Sequence, residues 1–149
     1  MPAISFYHLE RTSLDRALPK LLEKVLEHGH RAVVMAGSDE RVEALNLALW
    51  TYEQQSFLPH GSEVDGNAER QPVFLTTHDE NPNGSDVLVL VDGVESERLG
   101  SFARVLDLFD GHDAEAVEAA RARWRQLKDQ GCELAYWQQT SPGGWEQKG

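Results

Sequence analysis

DVLVLVD, residues 86–92, sets five consecutive apolar side chains between two aspartates, directly after the turn-forming run NPNGSD at 81–86. The run is strand length, rich in β-branched residues and apolar at every position, so a strand here has both faces buried. Strands of that kind belong to the interior of parallel sheets, where helices cover each side.

Outward from this strand the same grammar recurs. RVLDLFD (104–110), RAVVMA (31–36), PVFLTT (72–77) and AISFYH (3–8) are further strand candidates. Between AISFYH and RAVVMA, Leu14, Leu18, Leu21, Leu22, Val25 and Leu26 repeat at helical spacing after a Thr12 or Ser13 cap. Pro19 removes a backbone donor inside that pattern, so the helix is expected to start near Pro19 or to bend there. His28-Gly29 closes it, and Gly37-Ser38-Asp39 caps a second helix running to about Leu49. Strands alternating with helices predict the α/β class, one domain with a mostly parallel sheet and helices on both faces, Rossmann-like in outline. Residues 61–70 read as an exposed loop. Residues 141–149 read as a mobile tail, Trp145 excepted.

Composition narrows the function. The 149-residue chain carries 14 basic and 25 acidic side chains, a formal charge of -11, which opposes general affinity for nucleic acid. No apolar run approaches the ~20 residues of a membrane span, and MPAISFYHLE lacks the basic n-region and long apolar h-region of a signal peptide. A cytoplasmic protein without membrane association is the expectation. The single cysteine, Cys132, excludes an internal disulfide and a multi-cysteine zinc site.

A Rossmann-like sheet invites a nucleotide, yet neither GxGxxG nor GxxxxGK[ST] occurs. The nearest substitute, Ala36-Gly37-Ser38-Asp39, sets a carboxylate where a phosphate would bind. His28 and His30 flank a helix-ending glycine and lack ligand partners at metal spacing. His78-Asp79-Glu80 and His112-Asp113 read as solvated loops. No serine lies on a nucleophile elbow. The expectation is no catalytic site, no metal and no cofactor.

AARARWRQLKDQG, residues 119–131, is the exception to the acidic rule: four cations face one acid. On a helical projection with Arg121 at zero, Arg125 and Lys128 fall at about 40° and 340°, one basic face. Ala116, Ala120 and Leu127, at about 220°–260°, form the stripe that packs on the sheet. Trp124 at about 300° lies between them, with Val117 at about 320° on its apolar flank. Arg123 at about 200° points the other way and predicts an internal ion pair. The basic face is either solvated surface or a dock for an acidic peptide with an apolar end. A second cluster, Trp50, Tyr52, Phe57, Leu58 and Pro59 in ALWTYEQQSFLPHG (48–61), is either a cover for one sheet edge or an apolar interface.

In order, Phe6-Tyr7 on the opening strand, ALW (48–50), SFLPH (56–60), DVLVLVD, RVLDLFD and ARARWRQLKDQG resemble the chi subunit of bacterial DNA polymerase III. The resemblance runs from residue 3 to about 137. It implies a non-catalytic adaptor that joins the clamp loader to single-stranded-DNA-binding protein by gripping that protein's acidic C-terminal tail. Arg121, Trp124 and Arg125 match the family's tail-holding positions; Lys128 joins them by helical geometry, and Phe109 is expected to line the apolar pocket. Family members can carry a basic residue where this chain has Val117. Trp50 and Phe57 match the surface that holds the psi subunit or a helicase-like partner, with Leu58, Pro59 and His60 as neighbours. The competing reading is a small nucleotide-dependent α/β enzyme.

Overall fold

The structure, a computed structural model, describes residues 3–10, 13–51, 60–62, 68–140 and 144–148, without the side chains of 50, 51 and 68. In chain order the elements are β1 (Ala3–Leu9), α1 (Leu14–Glu27), β2 (Ala32–Met35), α2 (Asp39–Thr51), β3 (Gly61–Ser62), β4 (Val73–Thr76), β5 (Val87–Leu90), β6 (Arg104–Asp110), α3 (Ala114–Asp129), β7 (Glu133–Gln139) and β8 (Trp145–Gln147). Two short 3-10 turns lie at Ala68–Arg70 and Leu99–Ser101.

One sheet runs β3-β4-β2-β5-β6-β1-β7-β8. Every pairing is parallel except the last, β7 with β8. The stretch 86–92 lies near the middle of this order, and its alternation splits the core. Val87, Val89 and Val91 face α1 and α2 with Leu18, Leu22, Val34, Leu45 and Leu106. Leu88 and Leu90 face the other side with Ile4, Phe6, Val105, Phe109 and Ala120 of α3. Each such side chain taken fully out of water stabilises the fold by about 1.5–3 kcal/mol, so a strand buried on both sides must be apolar throughout.

Several expectations need correction. Helix α1 does not wait for Pro19. It begins at Leu14, where the amides of Arg16 and Ala17 reach the Ser13 carbonyl at 3.1 and 3.0 Å. Pro19 sits inside the helix and is itself buried, beside Leu18, Leu21 and Leu22. Burial of that apolar face outweighs the lost donor, which costs ~3 kcal/mol in an exposed helix. Residues 61–70 are not wholly an exposed loop, because Gly61 and Ser62 are buried and pair with β4. Within the 141–149 tail, Trp145–Gln147 pairs with β7, and Trp145 packs edge-on against Tyr7 at 5.0 Å. β7 itself was not anticipated. Its central residues are only half-buried, so ELAYWQQ lacks the continuous apolar signature.

Helix closures follow the sequence. His28 Nδ1 donates to the Lys24 carbonyl at 2.7 Å, and Gly29 takes φ +79°, which relieves the α1 terminus. Asp113 caps α3, its carboxylate accepting from the amides of Glu115 and Ala116.

Candidate functional site

Helix α3 is held to the sheet from beneath by charge as well as by apolar contact. Position 107 of β6 shares the α3 side of the sheet with Val105 and Phe109. Its carboxylate accepts two hydrogen bonds from Arg123, Nε to Oδ2 at 2.8 Å and Nη2 to Oδ1 at 2.9 Å. Both side chains are under 10% exposed. Burial pushes the Asp107 carboxyl up, and the fork of hydrogen bonds from Arg123 works against that shift. This is the internal ion pair that the helical projection assigns to Arg123. It fixes the rotation of α3, and that rotation decides what the helix shows to solvent.

With Arg123 and Ala120 turned inward, Arg121, Arg125 and Lys128 are all exposed. Arg121 lies 3.5 Å from Glu118, a pair exposed on both sides and of little energetic weight. Among the described residues neither Arg125 nor Lys128 has an ion-pair partner. Trp124 is half-buried between this face and the core, its ring edge-on to Phe6 at 5.5 Å and to Tyr136 of β7 at 5.8 Å. Val117 is half-buried on the same flank.

Phe109 does not form an open wall. It is 4% exposed and packed against His8 at 5.2 Å and Tyr136 at 6.1 Å. The aromatic surface beside the basic face is therefore Trp124 with Tyr136, and His8 lies behind. Tyr136 and His8 escape sequence reasoning because 128 residues separate them, and only parallel pairing of β1 with β7 brings them together.

Of the second predicted patch, Phe57, Leu58 and Pro59 fall outside the described residues, as does the side chain of Trp50. His60 is described and buried at 8% exposure, its Nε2 donating to the Asn46 carbonyl at 3.2 Å. It fastens the 60–62 segment to α2 rather than facing solvent in the isolated chain.

The crevice at the carboxyl ends of β1, β5 and β6, where an open α/β sheet would take a nucleotide, has the wrong sign for phosphate. This cavity of about 970 Å³ is lined by Glu10, Asp15, Asp92, Asp110, Asp113 and Glu115. Its two arginines are engaged already: Arg41 with Asp92 at 3.1 Å, and Arg123 with Asp107. At the start of α2, Ser38 Oγ accepts from the Arg41 amide, and Asp39 and Glu40 occupy the first turn. A phosphate would have to displace one and approach the others. A second cavity, of about 400 Å³, lies on the far flank of α3, lined by Leu127, Gln126, Gln130 and Cys132 and by Glu95 and Glu97 across from them. It is turned away from the basic face.

The chain thus joins a cationic, aromatic-edged last helix to an acidic crevice at the carboxyl ends of its strands. Comparison with known families then decides the kinship: the profile described as DNA polymerase III chi subunit, HolC, matches residues 1–135. The chain belongs to the chi subunit family. A curated relative from Rickettsia prowazekii (strain Madrid E), described as probable DNA polymerase III subunit chi, is 29% identical over 109 residues. That alignment covers 73% of this chain and 66% of the relative, so the chain spans just under two thirds of the relative's length. The family is named for a subunit of DNA polymerase III. No described helix of this chi-family chain is long and apolar enough to cross a membrane.

Proposed function

We propose that this chi-family protein is a non-catalytic adaptor, docking the acidic C-terminal tail of single-stranded-DNA-binding protein on α3 and so linking it to the clamp loader. One observation carries this reading: Arg121, Arg125 and Lys128 stand exposed on one face of α3, edged by half-buried Trp124, on a chain of net charge -11. Three cations attract carboxylates, and the Trp124–Tyr136 edge offers apolar surface to a hydrophobic chain end. The acidity elsewhere works against bulk nucleic acid, so direct DNA binding is not part of the proposal. The acidic crevice argues against the nucleotide-dependent enzyme. The second contact, to psi or a helicase-like partner, is assigned to Trp50, Phe57, Leu58, Pro59 and His60 on family resemblance. The working compartment is the cytoplasm, where replication proceeds in bacteria.

Fluorescence anisotropy with a labelled acidic peptide ending in a free phenylalanine tests the reading. Micromolar affinity that weakens with salt and is lost without the terminal phenylalanine supports the adaptor. Absence of binding even at low salt would leave the basic face as solvated surface and sink the proposal.

A further inference from the structure

Beside the basic face, Tyr136 and His8 form a pair whose proton arrangement is set by their surroundings. The Tyr136 hydroxyl meets His8 Nδ1 at 2.6 Å. The other ring nitrogen, Nε2, is buried 3.2 Å from Glu10 Oε1 without hydrogen-bond alignment and has no other partner among the described residues. The ring edge that carries Nε2 packs directly on Gly111, where a Cβ would overlap it. A carboxylate facing Nε2 repels a lone pair and favours an N–H, so the neutral ring carries its proton on Nε2. Nδ1 is then an acceptor. The Tyr136 O–H must donate inward, leaving only its oxygen lone pairs for any ligand on the outer side.

We propose that Tyr136 is a further residue of the tail-binding face, and that His8 is its positioning partner, turning the hydroxyl outward when the imidazole is protonated. The inference rests on the tail reading. When His8 takes a proton from solvent at Nδ1, that N–H donates to the tyrosine oxygen. The phenolic O–H, which lies in the ring plane, flips to its other orientation and donates to a peptide carboxylate. One proton is taken up for each peptide bound this way.

The groups around His8 agree with a ring that is neutral until a carboxylate arrives. Burial lowers its pKa; Glu10 and Asp110 pull it up, while Arg121 and His112 push it further down. Of these, Glu10 follows β1, Asp110 ends β6 and His112 follows it, Arg121 is on α3, and Tyr136 faces the ring from β7. His112 Nε2 is held on the Glu10 carbonyl at 2.6 Å. Arg121 acts electrostatically on Tyr136 as well, so a carboxylate attracted to Arg121 also lies within the field of this pair. Bound there, it offsets the Arg121 charge that opposes His8 protonation.

The test is peptide anisotropy at constant ionic strength, using the phenylalanine-ended acidic peptide, on the native chain, Tyr136→Phe and His8→Gln. From about pH 8 to about pH 6 the peptide carboxylates stay ionised. The native affinity should rise about threefold to tenfold over that interval, within the limit of one linked proton. Tyr136→Phe should match the native chain within about twofold at pH 8, where the hydroxyl points inward, and lose most of the rise at pH 6. His8→Gln should be flat. Native binding that ignores pH, or a Tyr136→Phe slope equal to the native one, overturns the inference while leaving the tail reading intact. Absence of binding at any pH overturns both. In the free protein, imidazole nitrogen resonances should report the Nε2–H form of His8, and an Nδ1–H form overturns the inference without reference to any peptide.

Discussion

Arg123 of α3 and Asp107 of β6 are joined by two parallel hydrogen bonds of 2.8 and 2.9 Å inside the protein, the one buried ion pair among the described residues. The fork sets which side of α3 meets the sheet, and Arg121 and Arg125, two positions to either side, are thereby turned to solvent. A structural arginine and its binding neighbours thus share one helix, and their roles follow from which face each occupies.

Breaking the fork should be costly. Asp107→Ala strands a buried guanidinium and is expected to destabilise the domain by about 3–5 kcal/mol in urea unfolding. Replacing both residues together, Asp107→Leu with Arg123→Met, should cost much less, since no uncompensated charge remains. Equal losses in the single and double variants would show that the pair does not carry the charge balance assigned to it.

Arg121→Ala should separate binding from folding. Its one ion pair among the described residues is exposed, so stability should change by less than about 0.5 kcal/mol. Affinity for the acidic peptide should fall by about 1.5–3 kcal/mol, the range for a charge-assisted hydrogen bond. Anisotropy and denaturation on the same preparation check both halves, and unchanged affinity removes Arg121 from the site.

Gly111 carries a different constraint. A Cβ there would lie 2.6 Å from the Leu9 carbonyl oxygen and overlap the His8 ring. Backbone and a packed ring must both move, so Gly111→Ala is expected to cost about 1–3 kcal/mol. The Leu9 carbonyl also accepts from the Gly111 amide at 2.7 Å, so β1 and the end of β6 would shift together. A midpoint equal to that of the native chain in urea unfolding would contradict the close packing.

Stability should also follow pH through His8. Its folded pKa lies below the ordinary 6.5, chiefly because of burial, so between the two values the unfolded chain binds more protons. Stability therefore declines as pH falls through about 6.5, and the loss is complete once pH drops below the folded value. Urea midpoints between about pH 5 and pH 8 should show a component of this sign that disappears in His8→Gln. A native-minus-variant difference that is independent of pH would contradict a depressed His8.

Much of this molecule is written in local pattern. DVLVLVD and RVLDLFD announce interior strands because a strand buried on both faces must be apolar nearly everywhere, whatever surrounds it. The rotation of α3 is equally local: 100° per residue puts Arg123 opposite the basic face before any partner for it is known. The missing phosphate loop and Asp39 after Gly37 likewise oppose a nucleotide from the sequence alone.

What stayed hidden depends on residues far apart in the chain. β3 and β8 are two and three residues long, and such segments are strands only because β4 and β7 present edges to pair with. β7 is half-exposed and carries Tyr136 and Trp137 on opposite faces, so no single apolar stripe betrays it. Pro19 forbids a helix interior by local rules, yet the core contacts of Leu18, Leu21 and Leu22 carry α1 through it. The same holds at the site. The cations of α3 are legible as a helix face, whereas the Tyr136–His8–Glu10 arrangement exists only once β7 lies beside β1. Periodicity reports what one element turns toward its neighbours; hydrogen bonds between residues 128 apart arise only when the sheet closes the distance.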